Sequence, residues 1–174
     1  VRVVTRWGKG KDDAGLAKLL VAVLGSLRGS FCIYQGEELG LPEAEVPFEL
    51  LQDPYGLSFW PTFKGRDGCR TPMPWQAATH AGFTSGTPWL PVADTHVARN
   101  VAAQAADPAS TLNQYRRFLR WRARQPALID GDIRSVVDWI CGEKHSATQG
   151  SPHSASGKAF FEGRGKAVVE ALLS

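Results

Sequence analysis

The chain has 174 residues, 43% of them hydrophobic and 21% charged, with a formal net charge of +3 at pH 7. That composition is typical of a globular protein with one domain, and so small a net charge argues against a nucleic-acid partner. No apolar run is long enough to cross a bilayer, which argues against a membrane protein.

The first residues, Val1-Arg2-Val3-Val4, contain neither an initiator methionine nor a signal-peptide pattern. We therefore expect the chain to be an excerpt of a longer protein. The three cysteines, at positions 32, 69 and 141, are an odd number at unrelated spacings. This argues against a disulfide framework or a zinc site and favours free thiols. We predict a cytoplasmic location, no metal and no cofactor.

The first helical pattern begins at Asp12 or Asp13, either of which can cap it, and Gly29 ends it. Its apolar positions follow the i, i+3, i+4, i+7 rule: Leu16, Leu19, Leu20, Val23, Leu24 and Leu27. We expect this face to be buried against a sheet. The run Phe31-Cys32-Ile33-Tyr34 has no polar alternation, which predicts a parallel strand covered on both faces.

Two adjacent carboxylates, Glu37 and Glu38, follow the predicted strand. The carboxyl ends of parallel strands face the ligand site in α/β folds, so this position suggests binding or acid–base chemistry. Neighbouring residues on extended backbone point to opposite sides, however. At most one of the two can face a given pocket, and the other is expected to form a structural bridge.

The segment from Leu41 to about Asp107 has little periodicity and is rich in proline, glycine and aromatic residues. A connection of that length is usually a lid or a binding loop. Its rings suit a sugar or another flat ligand, although a local aromatic mini-core is the better prediction for most of them. The rings belong to Phe48, Tyr55, Phe59, Trp60, Phe63, Trp75, Phe83 and Trp89.

Within this segment, residues 65–75 read Gly-Arg-Asp-Gly-Cys-Arg-Thr-Pro-Met-Pro-Trp. Glycines give the backbone freedom and prolines fix φ, so the pattern predicts an ordered loop without helix or strand. We expect the guanidinium groups of Arg66 and Arg70 on either side of the Asp67 carboxylate. Such a loop presents side chains to a ligand, or it is an ordinary surface loop with a salt bridge at Asp67.

A second helix is predicted from about Ser110 to Gln125, after Asp107-Pro108 and before Pro126. One side carries Leu112, Tyr115, Phe118, Leu119 and Arg122, and the other carries Arg116, Arg117, Arg120 and Arg124. No nucleic-acid-reading motif accompanies the arginines, so we interpret them as a solvated face.

Beyond Arg134 the composition changes. We predict a strand at 135–141, a mobile polar stretch at 142–158 and a short helix at 166–173. His145 and His153 lack partners at metal-ligand spacing. The predicted strand at 31–34 has no partner strand in the sequence, and an isolated strand is unstable. The chain therefore reads as a slice of a larger α/β barrel.

Four segments carry a family resemblance, in the family's order. They are residues 2–8 (Arg-Val-Val-Thr-Arg-Trp-Gly), 34–40 (Tyr-Gln-Gly-Glu-Glu-Leu-Gly), 65–75, and 80–84 (His-Ala-Gly-Phe-Thr). Together they resemble the α-glucosidase and oligo-1,6-glucosidase branch of glycoside hydrolase family 13, the α-amylase family. The resemblance implies the C-terminal portion of a (β/α)8 TIM barrel over residues 1–134, an α/β fold. Residues 13–28 would be its seventh helix, 31–34 its eighth strand and 110–125 its eighth helix, with an atypical tail at 135–174 in place of a C-terminal β-domain.

The resemblance also implies what lies outside the chain. The family's Asn-His-Asp motif stands just before the segment matched by residues 2–8, so we expect the chain to begin shortly after the third catalytic carboxylate. A retaining glycosidase needs two carboxyl groups about 5–5.5 Å apart. The resemblance places both on earlier strands, so we assign no catalytic residue, and Glu37 and Glu38 do not replace them.

By the same resemblance, Arg66 matches the arginine that binds the non-reducing glucose, and Glu43 is a candidate for the aglycone side. The expected partner is a small oligosaccharide or α-glucoside of the sucrose, maltose or isomaltose type. The chain would then be part of a retaining α-glucosidase. The alternative is a carbohydrate-binding or inactive remnant without turnover. Sequence alone does not fix the oligomeric state.

Overall fold

The computed structural model describes residues 1–9 and 13–130 of the chain. In these ranges the regular elements are helical, and none is a strand. The α-helices are α1 (Val3–Gly8), α2 (Asp13–Ser26), α3 (Pro54–Phe59), α4 (Asp94–Val97), α5 (Val101–Ala106), α6 (Thr111–Arg122) and α7 (Pro126–Asp130). Single 3-10 turns lie at Glu37–Leu39, Phe48–Leu50, Asp67–Cys69 and Thr79–Gly82.

The chain forms two compact units. Among the described residues, the first contains those of Val1–Val21 and Cys32–Arg117, and the second contains Ala22–Phe31 and residues 118–130. The predicted boundary at residue 134 lies outside the described residues. So do the tail at 135–174, its predicted strand, mobile stretch and helix, and both of its histidines.

Aliphatic side chains form the core of the first unit. Leu39, Leu41 and Leu112 are buried together, and the partly buried Met73 and Val101 pack against them. Each fully buried leucine contributes about 1.5–3 kcal/mol relative to an exposed one. The cluster therefore joins three distant parts of the chain: the turn at 37–39, residues 73 to 101, and α6. A second buried cluster consists of Val46, Leu51 and Leu90.

The predicted strand at Phe31–Tyr34 is wrong for this chain, because these residues have no regular secondary structure. A strand is stable only beside another strand that accepts and donates its backbone hydrogen bonds. No described segment provides that neighbour. The start of the chain, where Val3 and Val4 are β-branched, folds as the helix α1.

Helix α2 is where the sequence predicts a helix, but its buried face is not the predicted one. The leucine-rich positions are largely solvent-exposed, with Leu19 and Val23 each 53% exposed. The buried positions are instead occupied by residues smaller than leucine: Ala17, Val21, Ala22 and Gly25. Small side chains allow close approach: Ala17 Cβ lies 3.3 Å from where a β-carbon on Gly40 would stand. The hydrophobic periodicity therefore predicted the position of the helix correctly. Which face of the helix is buried is determined instead by the size of its side chains.

The aromatic residues between 41 and 107 do not form the predicted mini-core. All eight of the rings are exposed: Phe48, Tyr55, Phe59, Trp60, Phe63, Trp75, Phe83 and Trp89. Two pairs contact each other on the surface, with Phe48 and Trp60 centroids 5.6 Å apart and Tyr55 and Phe59 centroids 6.4 Å apart. The ordering of this segment therefore comes from aliphatic clusters, short helices and polar bonds.

Helix α6 confirms the second predicted helix; it begins one residue after the predicted start and ends three residues before the predicted end. Leu112, Tyr115 and Phe118 are buried, and the arginines of the opposite face are exposed. Arg122 acts within the second unit, where its Nε donates to the Gly25 carbonyl at 2.7 Å and Nη2 donates to the Gly29 carbonyl at 2.6 Å. The first bond satisfies a carbonyl in the last turn of α2, which has no partner within the helix, and the second satisfies a carbonyl just beyond the helix end.

In the described ranges, no helix combines the length and the apolar character that crossing a membrane requires.

His96 is fully buried and ties two loops to α4. Its Nε2 donates to the carbonyl of Pro42 at 2.8 Å, and its Nδ1 lies 3.2 Å from the hydroxyl of Thr71. With Nε2 as donor, Nδ1 accepts the Thr71 proton, so the ring serves both loops in its neutral form. Burial lowers the pKa of His96, the bond to Pro42 opposes this, and nearby Arg2 and Arg99 lower it further.

We predict that the free energy of unfolding falls as the pH drops below about 6.5, the ordinary histidine pKa. The folded-state pKa of His96 is depressed, so below that pH the unfolded chain binds a proton that the folded chain does not. His96→Gln should lower stability by about 1–3 kcal/mol at pH 7.5 and flatten this pH dependence. Urea unfolding at pH 7.5 and 5.5 measures both effects.

The matched control is His80→Gln, because His80 is only half-buried and has no side-chain hydrogen bond among the described residues. It should keep the pH dependence of the original chain. If the free energy of unfolding of His96→Gln still falls between pH 7.5 and 5.5 as much as that of the original chain, His96 is not the cause of the pH dependence.

Candidate functional site

The loop at 65–75 is ordered by its own backbone and by neighbouring segments. Its centre is the 3-10 turn Asp67–Cys69, and Thr71, Pro72 and Pro74 are buried. Ala44 N–H donates to the Gly68 carbonyl at 3.0 Å, and Val101 N–H donates to the Pro74 carbonyl at 2.9 Å. The loop is therefore ordered, as its glycines and prolines predict. Its 3-10 turn at Asp67–Cys69 was not predicted.

Asp67 is buried and does not pair with either arginine of the loop. Its Oδ2 instead accepts backbone N–H groups from Gln52 at 2.6 Å and Asp53 at 2.8 Å. The predicted arrangement, with Arg66 and Arg70 on either side of this carboxylate, is therefore wrong. A buried carboxylate is stabilised by hydrogen bonds that satisfy its charge, and backbone amides fulfil that need here.

Asp53 is the carboxylate that binds Arg66. Its Oδ2 accepts the backbone N–H of Arg66 at 2.9 Å and the side-chain Nε–H at 3.1 Å. Its Oδ1 accepts Tyr55 N–H at 3.1 Å and caps α3, which has Pro54 at its first position. Burial alone would raise the pKa of Asp53, but these hydrogen bonds outweigh it and hold the pKa below its usual range. Asp53 thus remains ionised and fixes Arg66.

The Arg66 side chain is held at Nε and is otherwise available. It is 55% exposed, and among the described residues its two Nη groups have no partner. Gly65 makes this geometry possible, because it has φ +74° and a β-carbon there would lie 3.0 Å from both Asp53 Cβ and the Gly56 backbone. Arg70 is half-buried, and its side chain has no hydrogen bond or ion pair within the described ranges.

Glu43 lies against the same loop from the other side. Its Oε2 accepts the backbone N–H of Arg2 at 2.6 Å, and its own N–H donates to the hydroxyl of Thr5 at 2.7 Å. A β-carbon on Gly68 would lie 2.8 Å from its Oε1 and closer still to the Ala44 carbonyl. The structure therefore brings Glu43 to the Asp67–Cys69 turn that Arg66 precedes.

Arg2 is a buried cross-link that sequence reasoning missed. Its Nη1 donates to the carbonyl of Gln35 at 2.7 Å, and its Nη2 donates to the carbonyl of Cys69 at 3.1 Å. Burial lowers the pKa of Arg2, and the neighbouring Cys69 and Glu43 oppose that shift. The side chain thereby connects the start of the chain, the turn that follows Tyr34 and the 65–75 loop.

The two adjacent glutamates cap the turn on which they lie. Glu37 Oε2 accepts Tyr34 N–H at 3.1 Å, and Glu38 Oε2 accepts Gly36 N–H at 2.9 Å. Burial raises the pKa of Glu37, and its bond from Tyr34 opposes the shift. Each carboxylate thus has one oxygen committed to local backbone.

Sequence reasoning predicted Arg66 and Glu43 as site residues, and it did not single out Asp53, Arg2 or His96, which hold the segments around them. A signal for Asp53 was present, because Asp53-Pro54 is the pattern of a helix N-cap followed by proline at the first position. Arg2 and His96 carry no such local signal. Their side-chain partners lie 25 to 67 residues away in the chain.

A family model described as the alpha-amylase catalytic domain matches residues 1–131. A probable alpha-glucosidase of Rhizobium meliloti (strain 1021) is 58% identical over 137 residues, which are 78% of this chain and 25% of the relative. An oligo-1,6-glucosidase of Parageobacillus thermoglucosidasius is 34% identical over 156 residues, covering 79% of this chain and 28% of the relative. The chain thus spans about a quarter of the length of these relatives.

Solved structures give the same result. The alpha-glucosyl transfer enzyme XgtA superposes with a TM-score of 0.72 at 63% sequence identity, covering 74% of this chain and 24% of that one. The similarity therefore extends from the sequence to the course of the backbone over 74% of this chain.

We predict that Gly68→Ala lowers the free energy of unfolding by about 1–3 kcal/mol. The added methyl group would overlap the Ala44 carbonyl and Glu43 Oε1, and a backbone carbonyl cannot move aside as a flexible side chain can. Gly86→Ala is the control, since its nearest neighbour would be the Thr84 hydroxyl at 3.8 Å, and it should change stability by less than about 0.5 kcal/mol. Equal urea midpoints for the two variants would show that the loop does not pack as described.

Proposed function

This chain belongs to the alpha-amylase catalytic-domain family, and from that premise we propose that it forms the sugar-orienting part of an α-glucosidase. The whole protein would hydrolyse terminal non-reducing α-glucosidic bonds of small oligosaccharides, of the sucrose, maltose or isomaltose type, with retention of configuration. Residues 1–134 would be the C-terminal part of its (β/α)8 barrel.

The observation that carries the proposal is the state of Arg66. Its Nε is bound to a buried, ionised carboxylate, its side chain is 55% exposed, and its two Nη groups have no partner among the described residues. A guanidinium fixed in this way offers coplanar donors that match two neighbouring oxygens, such as vicinal hydroxyls. It orients a sugar ring without exchanging a proton, because arginine stays protonated at any physiological pH.

Asp53 would act on the substrate only through Arg66. Without its carboxylate the guanidinium would sample many rotamers, and each binding event would have to restrict them again at about 0.5–1.5 kcal/mol per side chain. Two bonds from one carboxylate oxygen to Arg66 remove that cost before the ligand arrives. We therefore propose Asp53 as a positioning residue.

Glu43 would serve the aglycone side of the same site. Its Oε2 is occupied by the amide of Arg2, which fixes the carboxylate in place. The second oxygen is adjacent to Gly68, on the turn that follows Arg66. A fixed acceptor beside a fixed donor fork suits two different faces of a disaccharide.

Cleavage itself requires two carboxyl groups about 5–5.5 Å apart, one as nucleophile and one as acid. In the described ranges the carboxylates near the loop already accept hydrogen bonds: those of Glu37, Glu38, Asp53 and Asp67 bind backbone N–H groups. This observation favours the alternative for the chain on its own, which is sugar binding without turnover.

We predict that the isolated chain releases no p-nitrophenol from p-nitrophenyl α-glucoside above a buffer blank. Loss of both catalytic carboxyl groups removes several powers of ten in rate. A chimera in which residues 1–131 replace the matching segment of the Rhizobium meliloti relative should be active, because that segment would contribute orientation to a site completed by the rest. Turnover by the isolated chain, or a folded but inactive chimera, would refute the division of roles.

In the same chimera, Arg66→Lys should lower kcat/KM by about 2–4 kcal/mol equivalent, since a lysine cannot replace the fork that Asp53 holds. Arg70→Lys is the matched control in the same loop, four residues beyond Arg66. Its side chain has no hydrogen bond or ion pair among the described residues, so kcat/KM should stay within about twofold. If Arg66→Lys leaves kcat/KM unchanged, Arg66 does not contact the substrate as proposed.

A further inference from the structure

The first unit contains a cavity that the proposed function does not use. It has a volume of 450 Å³ and is lined by residues between Leu50 and Val97. Neither Arg66, Glu43 nor Asp53 is among its lining residues. Cavities of about 300–1,000 Å³ are the usual size for small-molecule ligands. The volume thus suffices for a sugar of one or two rings.

One wall of the cavity is a strained turn. His80, Ala81 and Gly82 have successive φ angles of 51°, 55° and 68°, all in the left-handed region. For the two non-glycine residues this conformation costs about 1–3 kcal/mol each and persists only where surrounding contacts enforce it. Here the Ala81 carbonyl accepts the N–H of Trp75 at 2.9 Å. Strained backbone of this kind is typical of functional sites. In this turn, the strained conformation places His80 at the cavity wall.

The polar and aromatic groups that line the cavity are unused by the protein. The carboxylate of Asp94, the carboxamide of Gln52, the imidazole of His80 and the indole of Trp89 have no hydrogen-bond partner in the described part of the chain. Trp89 is also 56% exposed, so part of its ring is available to a ligand. A cavity with one aromatic ring and several unpaired polar groups is complementary to a ligand that has both an apolar face and hydroxyl groups.

We propose that this cavity is a second carbohydrate site, which binds one neutral pyranose ring independently of Arg66. Trp89 would contact the apolar face of the ring, while Asp94 and Gln52 bind its hydroxyl groups and His80 adds a donor or acceptor. No arginine or lysine lines the cavity, and the single carboxylate disfavours anions, so phosphates and nucleotides do not fit it. One carboxylate is also too few for a tightly bound cation.

The test follows the indole N–H signals of the ¹⁵N-labelled chain during titration with maltose. The chain has six tryptophans, and Trp89→Phe identifies the signal of Trp89 by its loss. We expect a saturable shift of that signal. Asp94→Asn keeps the shape of the exposed side chain and should raise the Kd about tenfold, the loss of one charge-assisted hydrogen bond. Sorbitol, which has the hydroxyl groups but no ring, should give no saturable shift.

Two control variants distinguish binding in the cavity from binding at Arg66. Trp7→Phe removes an exposed tryptophan outside the cavity and should leave the titration unchanged. Arg66→Ala should also leave it unchanged, although it would abolish the role proposed for that loop. The second site is overturned if the Trp89 signal does not shift with maltose, if Asp94→Asn binds as well as the original chain, or if Arg66→Ala removes the response. It is equally overturned if sorbitol reproduces the shift.

Discussion

The carboxylate of Asp67 determines how the central loop is built. It is buried and has no cationic partner among the described residues, so two backbone N–H groups from Gln52 and Asp53 must supply its hydrogen bonds. This requirement brings residue 53 beside residue 67. The carboxylate of Asp53 then lies within reach of Arg66, which it binds through both the main chain and Nε. The orientation of the exposed Arg66 guanidinium therefore depends on the buried Asp67 carboxylate, because the hydrogen bonds that Asp67 accepts bring Asp53 to Arg66.

Polar cross-links of the same kind replace the missing sheet hydrogen bonds throughout the first unit. Arg2 joins the chain start to two loops, and His96 joins two loops to a four-residue helix. The side chains of Arg2 and His96 are buried, and both donate hydrogen bonds to backbone carbonyl groups that have no partner in a β-sheet. Such bonds contribute only about 0.5–1.5 kcal/mol each, but leaving a buried carbonyl unsatisfied costs more. The loops are consequently specified by donor and acceptor matching as much as by apolar burial.

The sequence was informative where the signal is local. The 3.6-residue period located α2 and α6, and the glycines and prolines of residues 65–75 indicated an ordered loop. It failed where the answer depends on a distant partner. The run at 31–34 has strand-like composition but no neighbour to pair with, and the buried side of α2 is decided by close packing that favours alanine and glycine over leucine. Arg66 was predicted to be a ligand contact by resemblance, but its Asp53 partner lies thirteen residues away. The Asp-Pro pair that marks this partner indicates only a helix start.

The outward leucine face of α2 has a consequence for the behaviour of the chain in solution. Apolar surface exposed along one stripe is attracted to any similar surface, and near room temperature this attraction is driven by water entropy, so it strengthens on heating. Small residues already occupy the inward face, so the stripe cannot be hidden by rotating the helix without creating overlaps at Gly25, where a β-carbon would collide with the Phe118 ring. The attraction of this stripe for other apolar surfaces should therefore be weakest in the cold and grow as the chain is warmed.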